Sequence, residues 1–121
     1  MAILSEEAKA LIKDTHPGFI ATASISGRPN VSPKGSLRVL DDEHVVFADI
    51  HSPNTIANLV ENPQVAGLVF DPSISHGCRI WGTAEILTSG ELFDQISAEF
   101  SSRNMQVKNI VVVSIAEVVV F

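Results

Sequence analysis

The residues best placed to do chemistry lie in the run 44–65, where HVVFADI passes at once into HSPNTIANLVENPQV. Val45, Val46 and Phe47 suit a pleated, buried strand. Ser52 is a good helix N-cap, and Pro53 suits the first helical position, where its missing N–H costs nothing. Ile56, Leu59 and Val60 then recur at helical spacing until Asn62-Pro63. The pattern predicts a helix start that directly follows a strand and carries Ser52, Asn54 and Thr55. Free N–H groups and the positive end of the helix dipole make such a start receptive to a phosphate. The same residues would also serve an ordinary capped turn.

Other chemistry is sparse. The four histidines (His16, His44, His51, His76) form no i, i+4 pair, and one cysteine cannot make a Cys-x-x-Cys site, so no metal centre is expected. Ser32, Ser36 and Ser52 sit in no nucleophile-elbow pattern, and there is no GxGxxG or Walker loop. Asp41-Asp42-Glu43 reads as a solvated turn, and Cys78, in an apolar run, as an inert core thiol. No catalytic residue is assigned. Redox chemistry, if present, has to come from a bound cofactor.

Short elements must position these residues. Ser5 can cap a helix through Asp14, with Glu6 and Glu7 in its first turn. A strand over 19–25 and a turn at Ser26-Gly27-Arg28-Pro29 predict a hairpin with the strand 30–40. That strand contains Pro33 and Gly35, which suit a bulge or backbone opened toward a ligand rather than a central ladder. Strands at 65–71 and 78–87 follow, then a helix from Ser89 or Gly90 to Ser101, and a long apolar strand over 107–121. Six strands in short hairpins with small helices predict a mainly β chain closed into an antiparallel barrel. The last strand is too apolar to have a wet face, so its outer side is expected to meet another copy of the chain.

The totals agree with one domain over residues 1–121. The apolar fraction is 45% and mean hydropathy is +0.26, yet no apolar run approaches the roughly 20 residues that cross a bilayer. A formal charge of −6 with no basic cluster argues against nucleic acid. The N-terminus has no long apolar stretch and does not read as a signal peptide, and a single cysteine fits a reducing cytoplasm.

Three stretches together resemble the FMN-binding split-barrel family related to pyridoxamine 5′-phosphate oxidase. They are GRPNVSPKGSLRVLDDEHVVFADIHSPNTIANLVENPQVAGLVF, GCRIWGTAEI and the closing IVVVSIAEVVVF. The length and ending look like the minimal FMN-binding proteins of that family. The resemblance implies a six-stranded antiparallel Greek-key split barrel, a homodimer, and two FMN molecules at the subunit interface. It places Asn54 and Thr55, beside Ser52, at the FMN phosphate, and Ser32-Pro33-Lys34-Gly35-Ser36 along the ring and ribityl chain. Ala48 and Asp49 match the strand end beside the ring. Gly77, Arg79 and Trp81 match a strand that reaches across the dimer, and Phe121 an apolar terminus near the partner's flavin. The full-length oxidases carry an Arg-Lys pair where this chain has Asn54 and Thr55. Phosphate charge would then fall to the helix start, Lys34, Arg38 or Arg79. The chain also ends before the segment that holds pyridoxamine phosphate, so vitamin B6 oxidation is not expected. The implied function is FMN-dependent oxidoreduction of a small substrate. The alternatives are an electron carrier, a deazaflavin- or haem-binding barrel, and a cofactor-free dimeric module.

Overall fold

The computed structural model describes residues 2–121. Its elements are α1 (Glu6–Asp14), β1 (Gly18–Ala23), β2 (Pro29–Lys34), β3 (Arg38–Asp41), β4 (His44–Asp49), α2 (Pro53–Glu61), β5 (Gln64–Asp71), β6 (His76–Leu87), α3 (Glu91–Ser101) and β7 (Asn109–Val120). The strands form one antiparallel sheet in the order β2-β1-β5-β6-β7-β4-β3. Three pairings are hairpins, β6 and β7 are joined through α3, and β1–β5 and β4–β7 join distant parts of the chain.

Two expectations change here. There are seven strands rather than six, because the stretch 30–40 breaks into β2 and β3. Pro33 is at home on β2, an edge strand where a missing donor breaks no ladder. The chain then turns at Gly35 and Ser36, and buried Leu37 plugs the interior. The sheet is also not closed. β2 and β3 are its two edges, adjacent in sequence but not paired, so the barrel is split where the chain turns between them.

Alternation along the strands explains the core. Ile20, Val45, Phe47, Val65, Val69, Ile80, Val111 and Val113 point to the concave side and pack with Leu11 and Ile12 of α1. Each such side chain, fully removed from water, contributes about 1.5–3 kcal/mol. Ser5 caps α1, accepting from the Ala8 N–H at 3.1 Å.

A second cluster lies on the other side of the sheet, where Ile96 and Phe100 of α3 cover Val46, Ala48 and Ile110. This corrects the expectation for the last strand. The apolar outer side of the first half of β7 is covered by the chain's own α3, and only its second half, with Val119, remains exposed. Where β6 meets β7 the register slips between Trp81 and Gly82. A Cβ on Gly82 would lie 2.2 Å from the Ser114 carbonyl, so only glycine fits there. No described helix is long and apolar enough to cross a membrane.

Candidate functional site

The split in the barrel opens into a cleft of about 600 Å3. Its floor and one wall are Pro33, Lys34, Gly35 and Ser36 from the end of β2 and the turn, with Phe47 and Ala48 of β4 opposite. Ser52 closes one end, and Ile96, Glu99, Phe100 and Arg103 of α3 form the far wall. β3 pairs with β4 only from His44 to Val46, which leaves the edge of β4 bare at Ala48. The Ser36 hydroxyl fills the gap: it accepts from the Ala48 N–H at 2.9 Å and reaches back to the Ala48 carbonyl at 3.4 Å. A side chain thus stands where a strand would, and the backbone of the turn stays open to the cleft.

Alternation along β2 sends Ser32 and Lys34 inward. The Ser32 hydroxyl meets the Thr55 hydroxyl at 3.2 Å. Lys34 is 7% exposed, and its ammonium donates to the Ser52 hydroxyl. It lies 5.8 Å from the centre of the Phe47 ring and makes no ion pair among the described residues. Burial pushes the Lys34 amine below its usual pKa, a trend that Asp49 opposes. Asp49, itself buried, accepts from the Ser52 N–H at 2.8 Å and the Asn109 amide at 2.7 Å. The order Asn109, Asp49, Ser52, Lys34 is a chain of polar contacts that fixes a cation at the cleft. An ammonium has three donors and only one is used here.

The start of α2 lacks the Ser52 side-chain cap expected of it. Ser52 is at the N-cap, but its hydroxyl serves Lys34 and caps nothing. Among the described residues, the N–H groups of Asn54 and Thr55 have no hydrogen-bond partner. Such orphan donors carry the positive end of the helix dipole.

The sequence-derived residues fall into three groups. Pro33, Lys34, Gly35, Ser36, Ala48 and Ser52 line the cleft together, and Ser32, Asp49 and Thr55 stand just behind it. Asn54 is exposed at the helix start and does not line the cleft. Arg79, Trp81 and Phe121 are elsewhere, on the outer side of the sheet. There the Arg79 guanidinium lies over Trp81 at 5.8 Å and Phe121 at 5.2 Å. Phe121 stacks on Phe70 at 6.1 Å. A Cβ on Gly77 would come within 2.6 Å of the Val69 carbonyl, so the sheet closes under this aromatic group only with glycine.

The sequence reading missed the α3 wall and His16 and His51, which also line the cleft. Glu99 takes both ends of the Arg38 guanidinium, at 2.8 and 2.9 Å. Arg38, the nearest cation, holds the Glu99 carboxyl below its ordinary pKa, with help from Arg103. The i, i+4 spacing of Glu99 and Arg103 was visible in sequence, but their partner lies 61 residues upstream of Glu99.

Comparison with known proteins fits this geometry. An uncharacterized protein of Methanocaldococcus jannaschii is 36% identical over 105 residues, covering 83% of this chain and 69% of its own length. Streptococcal HupZ superposes with a TM-score of 0.90 at 25% identity, covering 98% of this chain and 94% of that one. An FMN-binding protein of Syntrophomonas wolfei gives 0.87 at 23% identity, with 97% and 85% covered. The fold is shared more distantly, at 21% identity, by an F420 reductase and by the haem storage protein HutZ of Vibrio cholerae, with TM-scores of 0.69 and 0.67. The pyridoxamine 5′-phosphate oxidase family model matches residues 4–119, nearly the whole chain, and the chain therefore belongs to that family.

Proposed function

We propose that the cleft binds FMN and presents it for oxidoreduction of a small substrate. The observation that carries this reading is the buried Lys34 ammonium, which among the described residues has one hydroxyl partner and no direct carboxylate contact, beside a helix start with two N–H groups unpaired among those residues. A buried cation with no direct carboxylate contact is costly unless a ligand completes it, and Asp49, reached through Ser52, offsets that cost only in part. A phosphate monoester would do so, accepting from Lys34 and from the Asn54 and Thr55 amides. The cleft is of the size and mixed polarity usual for small-molecule sites.

In this reading Lys34 replaces the charge that the family's Arg-Lys pair supplies elsewhere. The turn at Gly35 and Ser36 offers backbone hydrogen bonds to a flat ring, and Phe47, Ile96 and Phe100 exclude water. When bound, the isoalloxazine supplies one- or two-electron redox chemistry. The chain binds, orients and tunes, and no side chain is required as acid or base.

The same reading makes the protein a homodimer. The outer side of β2, β1, β5 and β6 exposes Val31, Phe19 and Phe70, continuous with Trp81, Val119 and Phe121. A contiguous apolar sheet face of this kind calls for a partner surface. In a dimer, Arg79, Trp81 and Phe121 would reach the flavin of the other copy.

His16 and His51 at the cleft give a haem reading its own support, since a neutral imidazole can ligate iron. Titration with FMN, then with hemin, followed by visible absorption, separates the two. The FMN reading expects saturable micromolar binding that Lys34→Met weakens. No shift with FMN, and a Soret band that His51→Ala removes, would overturn it.

A further inference from the structure

Two carboxylates stand at or just behind the cleft, and they treat its cations differently. Glu99 takes both ends of the Arg38 guanidinium directly, at 2.8 and 2.9 Å. Asp49 makes no ion pair with Lys34 among the described residues, yet it supports that ammonium from a distance. Burial works against the charged form of Lys34, and the charge of Asp49 works for it.

Asp49 stays off Lys34 because both of its oxygens are occupied. Oδ1 accepts from the Ser52 N–H at 2.8 Å, and Oδ2 accepts from the Asn109 side-chain amide at 2.7 Å. The first bond closes a turn three residues long. The second crosses the sheet, since Asp49 and Asn109 are register partners where the end of β4 meets the start of β7. The Asp49 carbonyl also accepts from the Lys108 N–H at 2.9 Å, so the backbone is pinned and only the side chain can turn. Asp49 is 3% exposed, and a carboxylate released from Asn109 would not reach water. The Lys34 ammonium, joined to it through Ser52, still has two donors to offer. His16, Arg38, His51, Glu99 and Arg103 also line the cleft, and none of them hydrogen-bonds or pairs with Lys34 or Asp49 among the described residues.

Both simpler arrangements would spoil the site. In a direct Asp49–Lys34 pair, an incoming anion would have to break a buried ion pair. With no carboxylate nearby, burial would favour the neutral amine and the cation would be lost. Held off by one hydrogen bond, Asp49 keeps the ammonium charged while leaving its donors free. We propose that Asn109 is a positioning residue that tethers Asp49 away from Lys34, so that the cation of the cleft stays charged and open to an anionic ligand. That the anion is the phosphate of FMN rests on the proposed flavin function; the tether itself does not.

Competitive labelling with acetic anhydride over a pH series, read by mass spectrometry on the FMN-free protein, follows loss of the proton from the Lys34 amine. Lys13, exposed in the last turn of α1, is the internal reference. Asn109→Ala frees Asp49 to pair with Lys34, so the Lys34 labelling curve is expected to move to higher pH. FMN affinity, read by flavin fluorescence, should fall about three- to tenfold in the same variant. Asn109→Ser, too short to reach the carboxylate, should behave alike and guards against a folding defect. Asp49→Asn does the opposite. Its amide can still accept from Ser52 and donate to a turned-over Asn109 amide, but the charge is gone. The Lys34 curve should move to lower pH, and FMN binding should fail at lower pH than in the parent protein. A merely structural role gives no reason for the two variants to move the curve in opposite directions. The proposal is overturned if both Asn109 variants leave the Lys34 curve in place or move it as Asp49→Asn does. If the parent protein takes up no FMN, the flavin reading fails and the labelling curves still decide the tether. FMN binding that Lys34→Met weakens, with every labelling curve unmoved, would do the reverse.

Discussion

The cleft and the outer side of the sheet are built by the same strands and are opposite in character. β2 shows this within four residues: Ser32 and Lys34 point inward to α2 and the cleft, while Val31 points outward. On the cleft side a charge is buried and left incompletely paired. On the outer side large apolar groups, among them Phe19, Phe70 and Phe121, are left about 40% exposed. Both are unfavourable in an isolated chain, and for different reasons. An incompletely paired ammonium favours an anion, whereas an exposed aromatic face favours another surface. The proposed function assigns one side to a ligand and the other to a second copy of the chain.

The largest expected effect tests the ligand side. Lys34→Met should weaken FMN binding about 10- to 100-fold, the worth of a charge-assisted contact to phosphate. Thermal unfolding should show no loss of stability, because a buried charge is exchanged for an isosteric apolar chain. A variant that binds FMN normally, or that unfolds at much lower temperature, would mean that Lys34 is structural.

On the partner side, Phe19→Glu should weaken self-association by about 2 kcal/mol, as expected for an aromatic anchor replaced by a charge. Under the dimer proposal, sedimentation velocity should show a dimer for the parent chain and a monomer for the variant at the same concentration. An unchanged sedimentation coefficient would remove the outer side from any interface.

Two smaller substitutions contrast the sides within the folded chain. Gly77→Ala forces a Cβ to within 2.6 Å of the Val69 carbonyl and should cost about 1–3 kcal/mol in urea unfolding. Ser36→Ala leaves the Ala48 N–H at the bare β4 edge without its partner and should cost about 1 kcal/mol. If Ser36→Ala cost nothing, the hydroxyl would not be what holds the split open.

The smallest effect concerns pH. Burial lowers the Lys34 pKa from its ordinary 10.5, so the ammonium is less favourable in the folded chain than in the unfolded one. That cost is fully present below the folded pKa and is relieved as pH rises through it toward 10.5. Any stability gained by Lys34→Met should therefore shrink as pH is raised from neutral toward 10.5, as followed by thermal melts. A gain that stays constant over this range would show that Lys34 carries no such cost.

Much of this was legible in the chain itself. The hairpin at Ser26-Gly27, the turn at Asp41-Asp42-Glu43, the helix after Ser52-Pro53 and the α3 face of Ile96 and Phe100 all follow from local rules. Turn chemistry, proline placement and hydrophobic period act over a few residues, so their signals survive in sequence. Pro33 and Gly35 also marked the right place, although they signal a break between two strands rather than an irregular stretch of one.

What escaped was whatever depended on distant parts meeting. The Ser52 hydroxyl looked like a cap because capping is a local habit, but Lys34, 18 residues away, competes for it and wins with a charge. Arg38 and Glu99 could not be paired from spacing, because only the packing of α3 on the outer side of β4 brings them to hydrogen-bonding distance. The sequence by itself determined the helices, most strands and turns, and the family, but not the break that makes β2 and β3 two strands. The tertiary structure decided that the sheet stays open, that its split is lined with cations, and that Glu99 sits among them. Backbone preferences are set by neighbours in the chain, whereas buried charge is placed by neighbours in space.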